Sequence, residues 1–121
     1  MPRNDIKVII DTEALCAYTL KVTNNLNNFP KKYRFTVVDE LVRKSMEIYD
    51  RVQDANSSWN PSMRVQNIEY AISSCHKMKM LLRLVQEVIH PKCSISYWDS
   101  MIDNVERQLM NWRKFTKQQI S

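Results

Sequence analysis

The sequence predicts an all-α protein, a single domain folded as an antiparallel up-down-up-down four-helix bundle. Three observations predict this fold. The 121 residues include no glycine, which disfavours the tight hairpins and phosphate-binding loops that depend on positive φ. Apolar residues recur every three or four positions within long blocks of the chain, as they do in amphipathic helices. Prolines and short polar runs separate these blocks, so brief connections join successive helices into antiparallel neighbours.

The first two helices are predicted at about residues 11–28 and 36–56. Phe29-Pro30 ends the first helix, because proline lacks an amide donor and restricts the residue before it. Thr36, followed by Asp39, can cap the second helix by accepting a hydrogen bond from a first-turn amide. The inward-facing residues of the first helix are predicted to be Leu15, Tyr18, Val22, Leu26 and Phe29. Those of the second helix are Val38, Leu41, Val42, Ser45, Tyr49 and Val52.

The last two helices are predicted at about residues 61–89 and 96–117. Pro61 opens the third helix and His90-Pro91 ends it, since proline fits the first helical position but not the interior. Ser96 and Asp99 form a capping pair for the fourth helix. The inward-facing residues of the third helix are Ile68, Ala71, Cys75, Met78, Leu82, Val85 and Ile89. Those of the fourth are Trp98, Met101, Ile102, Val105, Leu109, Trp112 and Phe115.

The third helix also has apolar residues on a second side. Leu81, Leu84 and Val88 fall outside its inward stripe, so the apolar arc spans roughly half the helix circumference. One bundle core needs a narrower arc. We therefore expect these three residues to form an interface between copies of the chain. The alternative is that the helix lies buried between two neighbours of its own bundle.

The net charge is +5 and the isoelectric point is near 9.2, which favours polyanionic partners. On the third helix, His76, Lys79, Arg83 and His90 share the arc that the apolar residues leave free, with Lys77 beside it. Lys79 and Arg83 are one turn, about 6 Å, apart, a spacing that suits phosphates or an acidic protein surface. The alternative is a solvated face that keeps the protein soluble. Further basic residues follow the first helix and end the fourth: Lys31, Lys32, Arg34, Arg113, Lys114 and Lys117.

The sequence offers little for catalysis. A di-iron bundle needs two Glu-x-x-His pairs, whereas Glu87 and His90 form a single one. Three cysteines without paired spacing are typical of reduced thiols in a cytoplasm. We therefore expect no enzyme activity, no cofactor and no metal; a metal held by Glu87 and His90 is the enzymatic alternative. Without an apolar leader or a stretch of about 18 apolar residues, we expect a cytoplasmic protein that does not associate with membranes.

Four short segments carry a resemblance to a known family. They are Phe29-Pro30-Lys31-Lys32-Tyr33-Arg34-Phe35, Met78-Lys79-Met80-Leu81-Leu82-Arg83-Leu84, Ile95-Ser96 and Trp112-Arg113. In their order and spacing the chain resembles small four-helix-bundle proteins. These include the accessory variability determinant (Avd) of diversity-generating retroelements and proteins encoded in ribosomal RNA intervening sequences. It is more similar to the Avd branch, because residues 44–50 lack the proline and glycine typical of the ribosomal branch.

The resemblance implies a homopentameric barrel whose basic surface binds nucleic acid, RNA or DNA, and the reverse transcriptase of the retroelement. Such a protein supports complementary-DNA synthesis in mutagenic retrohoming without catalysing it. Lys79 and Arg83 match the third-helix motif and take the binding role, and helix geometry adds His76 and Lys77. Two alternatives remain open: a protein-interaction module, and a protein of the ribosomal intervening-sequence type without a reverse transcriptase partner.

Overall fold

Helices make up nearly all of the computed structural model, which describes residues 2–120 and their side chains from residue 7 onward. The α-helices are α1 (Pro2–Thr23), α2 (Asp39–Ser57), α3 (Pro61–Val88) and α4 (Ile95–Ile120). A 3₁₀ turn (Lys31–Tyr33) and a π-helical turn (Arg34–Val38) lead into α2. Over the described residues the chain contains no β-strand. The all-α prediction is confirmed.

Each helix packs against the next in the chain, and α1 also packs against α4. Short connections reverse the chain between α2 and α3 and between α3 and α4, so these helices run antiparallel. A closed ring of four neighbouring helices is the arrangement of an up-down-up-down bundle. Within residues 2–120, no helix combines the length and apolar character needed to cross a membrane.

The core lies where the periodicity predicts it, around the Trp98 ring. Trp98 is fully buried, and the rings of Tyr18 and Phe29 meet it edge-on at centroid distances of 6.0 and 6.2 Å. The Trp98 Nε1–H donates to Thr19 Oγ1 at 3.2 Å, which satisfies the polar atom of an otherwise apolar side chain. The predicted inward residues of α3 are buried, with Ile89 half-buried at the helix end. In α2, Ile48 is buried, as expected from its place on the apolar side of the helix. In α4, Thr116 is buried although the predicted stripe omits it, whereas Phe115, predicted to face inward, is exposed.

The α1 helix differs from the prediction at both ends. It begins at Pro2, nine positions earlier than expected, and Val8 on the added turns is buried. It ends at Thr23 rather than at residue 28, because asparagine side chains compete for the backbone of the following residues. The Asn27 N–H donates to Asn25 Oδ1 at 2.9 Å. As a result Leu26, predicted to face inward, is exposed.

Two of the predicted caps are also wrong. The Thr36 hydroxyl donates to the Tyr33 carbonyl at 3.4 Å instead of capping α2, because the π-helical turn already supplies acceptors for the first amides of that helix. Ser94, rather than Ser96, caps α4, since its Oγ accepts from the Tyr97 N–H at 3.1 Å. Asn60 caps α3 by accepting from the amides of residues 62 and 63.

One asparagine links two connections at the same end of the bundle. The Asn28 Nδ2 donates to the Val22 carbonyl at 3.2 Å, and its Oδ1 accepts from the Cys93 N–H at 2.9 Å. The residues joining α1 to α2 are thereby fixed against those joining α3 to α4. We call this part of the molecule, residues 24–38 and 89–94, the connection end.

Candidate nucleic-acid interface

Two of the four predicted binding residues on α3 are held by acidic residues of α4. The Lys79 ammonium forms an ion pair with Asp103 and lies 3.9 Å from Glu106 Oε1. Its hydrogen bond to Asp103 raises the pKa of Lys79, so the side chain stays charged. His76 Nε2 lies 2.5 Å from Glu106 Oε2, a buried atom with no further hydrogen-bond partner in the described part of the chain.

These contacts correct the expectation that Lys79 and His76 occupy a free arc. The Lys79 side chain is only 25% exposed, because the register of α4 places carboxylates opposite it. A phosphate would have to compete with Asp103 and Glu106 for the same ammonium. The sequence prediction correctly places His76, Lys79 and Arg83 on one arc of α3, and it misses what faces that arc.

Lys77 and Arg83 are exposed, and within residues 7–120 neither side chain has an ion-pair partner. They are six positions apart and so lie about 120° from each other around the helix. The structure therefore divides the predicted set into a paired half, His76 and Lys79, and a free half. The charges of Lys77 and Arg83 therefore remain available to a ligand.

On the same face of α3 as Lys77, and with Arg83 on its flank, lies an apolar strip that its own bundle leaves uncovered. Met80, Leu84 and Val88 are 63%, 54% and 60% exposed, and Leu81 is half-buried. A groove of about 340 Å³ runs along this strip, bordered by Lys77 together with Glu40 and Lys44 of α2. The alternative in which the helix is buried between two neighbours of its own bundle therefore does not hold for Leu84 and Val88.

The connection end carries a second group of cations, which the predicted site did not include. Lys31, Lys32 and Arg34 are exposed, and no acidic side chain in the described residues pairs with them. Phe35 beside them is 86% exposed. The sequence signal for this group is the complete lack of Asp and Glu between residues 24 and 38 and between residues 89 and 94.

The groups that the sequence offered for catalysis or metal binding are the cysteine thiols and the pair Glu87 and His90. Burial raises the pKa of the Cys75 thiol to about 12 and also raises the pKa of the Cys93 thiol, which disfavours the reactive thiolate. Glu87 and His90 are exposed at the end of α3 rather than in the core. Over the part of the chain that the structure describes, His, Cys, Asp and Glu form no group of three that could hold a metal ion.

A solved structure provides a precedent for the fold. It is the crystal structure of a protein of unknown function from the S23 ribosomal protein family of Bacteroides thetaiotaomicron. The two structures agree with a TM-score of 0.82 over 92% of this chain and 98% of that chain, at 11% sequence identity. No protein-family model matches the chain, and no curated protein sequence matches it. At this identity the likeness shows the fold alone: the chain is similar in its helical architecture to a member of the S23 ribosomal protein family.

Proposed function

We propose that the protein is a non-catalytic, cytoplasmic accessory protein of a diversity-generating retroelement. It forms a homopentamer, binds RNA or DNA, and binds the reverse transcriptase of the element to support mutagenic complementary-DNA synthesis. The observation that carries the proposal is the outer face of α3, where free cations at Lys77 and Arg83 border the uncovered strip of Met80, Leu84 and Val88. The reverse transcriptase partner is inferred from the resemblance of the sequence motifs to the Avd branch.

The apolar strip supports the assembly. Fully burying an exposed aliphatic side chain is worth about 1.5–3 kcal/mol. Covering the exposed part of several such side chains in every subunit recovers a share of this energy and favours association. In a closed ring each subunit repeats the same interface. The free cations repeat with it, and the field of the ring grows with the number of subunits. Assembly thus converts a weak cationic surface into a strong one.

The cations support the nucleic-acid role. Arg83 can bind a phosphate through two parallel hydrogen bonds, whereas Lys77 offers a point charge. Each phosphate that a protein neutralises releases counterions, so the logarithm of the binding constant falls linearly with the logarithm of the salt concentration. The free half of the predicted set, rather than the paired His76 and Lys79, is the half that can contribute to this slope.

The test combines mass and salt dependence. Light scattering on a sizing column gives the mass of the protein alone and with mixed-sequence RNA and DNA. Fluorescence anisotropy at several salt concentrations gives the slope. We expect a ring-sized oligomer, and we expect the Lys77→Ala and Arg83→Ala double variant to lower the magnitude of the slope by about one per lost contact. A monomer that binds neither RNA nor DNA contradicts the proposal.

A second candidate function follows from the structural neighbour, which belongs to a family named for a ribosomal protein. In this alternative the same cationic face binds ribosomal RNA and no reverse transcriptase is involved. Competition between purified ribosomal RNA and a length-matched RNA of scrambled sequence separates the two. A strong preference for ribosomal RNA, with no binding to a retroelement reverse transcriptase, favours the ribosomal alternative. If Arg83→Ala weakens a protein partner and leaves nucleic-acid affinity intact, the protein-interaction alternative is correct.

A further inference from the structure

The connection end has a strong local excess of positive charge. Lys31, Lys32 and Arg34 lie within four positions, and Lys92 is on the neighbouring connection, which Asn28 ties to the first. No carboxylate belongs to either segment. Such unbalanced cations raise the local concentration of anions, and their effect falls off over about 10 Å at 0.1 M salt.

The nearest acidic residues along the chain do not cancel this charge. Asp39 and Glu40, at the start of α2, both pair with Arg43, at 3.1 and 2.8 Å. Their carboxylates are thereby engaged by a cation of their own helix. Arg43 offsets one of these two negative charges, so the three cations of residues 31–34 still exceed the single negative charge left at the start of α2.

A groove of about 490 Å³ adjoins these cations, between the last turns of α1 and the irregular turns before α2. Three basic residues line it, Lys21, Lys31 and Arg34, and no acidic residue does. The remaining lining is largely apolar and includes Leu26 and Pro30. A groove with cations and apolar side chains, and without carboxylates, suits a ligand that carries phosphates and flat apolar rings.

Phe35 gives the second, independent feature. It is 86% exposed although burial of a phenylalanine is worth about 1.5–3 kcal/mol, so it contributes little to the core of its own bundle. It belongs to the π-helical turn Arg34–Val38, and π-helical turns occur frequently at functional sites. An exposed aromatic ring next to cations is the combination on which single-stranded nucleic acids stack their bases.

We propose that the connection end binds single-stranded nucleic acid, with Lys31 and Arg34 contacting phosphates and Phe35 stacking on a base. This inference rests on the proposed function, because it assumes a nucleic-acid ligand. It adds a site, separate from the α3 face, and a preference for unpaired strands. A duplex keeps its bases stacked on one another and offers no free ring to Phe35, so only a single strand uses both features.

The probe is a fluorescently labelled 20-nucleotide oligothymidylate, compared with a 20-base-pair DNA duplex, and the readout is anisotropy on the full chain. The Phe35→Ala variant should weaken oligothymidylate binding about tenfold, the effect of losing one stacked base, while duplex binding changes less than twofold. The Phe35→Tyr variant should restore the affinity. The Lys31→Ala and Arg34→Ala double variant should lower the magnitude of the single-strand salt slope by about 1.4.

Matched controls come from the rest of the chain. Trp59 is equally exposed, at 88%, in the connection between α2 and α3, at the opposite end of the bundle, so Trp59→Ala should leave oligothymidylate affinity unchanged. Arg107 and Lys114 are exposed on α4, and the Arg107→Ala and Lys114→Ala double variant removes the same charge as the test variant. It should alter the salt slope less. Circular dichroism and light-scattering mass confirm that every variant folds and assembles like the wild type.

Each contrary result has a distinct meaning. If the wild type binds oligothymidylate and the Lys31, Arg34 and Phe35 variants bind it equally well, this inference is wrong and the proposed function stands. If Phe35→Ala changes the oligomer mass, the ring belongs to a subunit interface and does not stack on bases. If polyglutamate displaces the oligonucleotide at equal charge concentration, the end is a docking surface for acidic protein. If the wild type binds no nucleic acid, both proposals fall.

Discussion

The Lys79 side chain lies between two carboxylates of α4 and pairs with Asp103, so its removal should affect folding more than binding. Lys79→Ala leaves Asp103 and Glu106 without this cation. We expect the free energy of unfolding to fall by about 1 kcal/mol, the upper range for a partly exposed ion pair. Urea denaturation measures the change, and Lys114→Ala, at an exposed and unpaired position, is the control. Wild-type stability combined with a smaller salt slope of nucleic-acid binding would instead assign Lys79 to the phosphate contacts.

Asp11 links α1 to α4 through a carboxylate with three donors. Its Oδ2 accepts from Lys7 Nζ at 2.7 Å, from Gln108 Nε2 at 2.7 Å and from Asn104 Nδ2 at 2.9 Å. Partial burial raises the pKa of Asp11, but the hydrogen bonds from Lys7, Gln108 and Asn104 outweigh it and hold the pKa below its usual 3.8. The ionised form is thus the one that the folded state favours.

This depressed pKa makes a stability contribution that depends on pH. A carboxylate with a lowered folded-state pKa stabilises the protein above its unfolded pKa, and the contribution is lost as pH falls through the folded pKa. We expect Asp11→Asn to lower the urea midpoint at pH 7, and the difference from wild type to shrink as pH falls below about 4. A difference that stays constant from pH 7 to pH 3 would mean that the charge of Asp11 does not matter. Glu13→Gln, at an exposed neighbouring position, is the control.

The four predicted binding residues show what sequence periodicity can predict at the level of single residues. Their positions around α3 depend on one helix alone, so the arc shared by His76, Lys79 and Arg83 could be predicted. The charges opposite them depend on the register of α4 against α3, which no pattern within α3 contains. The positions of the four residues therefore follow from the sequence, and the pairing of His76 and Lys79 with α4 does not.

Helix ends in this chain depend on the side chains and turns next to them. Pro61 was a reliable start for α3, and His90-Pro91 predicted its end to within one residue of Val88, because the steric effect of proline acts on its immediate neighbours. The end of α1 was predicted five residues too late. Phe29-Pro30 is the stronger stop signal in the sequence, and the asparagine turn that ends the helix earlier is a weaker one. The start of α2 was missed because irregular helical turns precede it and remove the need for a cap.

His90 occupies the left-handed region, with φ of 52°, directly after α3. Its N–H donates to the Val85 carbonyl at 3.1 Å, which closes the helix end in the way that a glycine usually does. This chain has no glycine, so a side chain bears the steric cost of about 1–2 kcal/mol. We expect His90→Gly to raise the free energy of unfolding by about 0.5–1 kcal/mol, after the entropy cost of glycine is subtracted.

Urea denaturation checks this gain, with Gln86→Gly as the matched control. Gln86 is exposed in the last turn of α3, where the backbone is helical and glycine costs up to about 1 kcal/mol. The same new residue should therefore stabilise one position and destabilise another four residues away. Destabilisation at both positions would show that the His90 imidazole contributes to the connection end more than its backbone strain costs.

For the whole molecule, the two surfaces divide the tasks that the proposed function requires. The strip formed by Met80, Leu84 and Val88 lies on the outer face of α3, whereas the unbalanced cations lie at the connection end. The wide apolar arc of α3 predicted the strip, because helical geometry alone fixes which residues fall outside the inward stripe. The cationic end depends on two connections meeting, which only the folded chain shows.

Assembly through α3 can be tested with a single charge. Leu84 is 54% exposed, so Leu84→Glu is tolerated by the bundle itself, whereas in an interface it places an unpaired carboxylate among apolar side chains, at a cost of several kcal/mol. We expect the light-scattering mass to fall towards the 14.4 kDa of one chain, with helix content by circular dichroism unchanged. Leu81→Glu should act in the same direction, although its half-buried position also affects the bundle. Met110→Glu on α4, at 45% exposure, is the matched control and should leave the mass unaltered. If the Leu84→Glu variant has the wild-type mass, this face is not the interface between copies of the chain. The strip would then bind a partner other than a second copy.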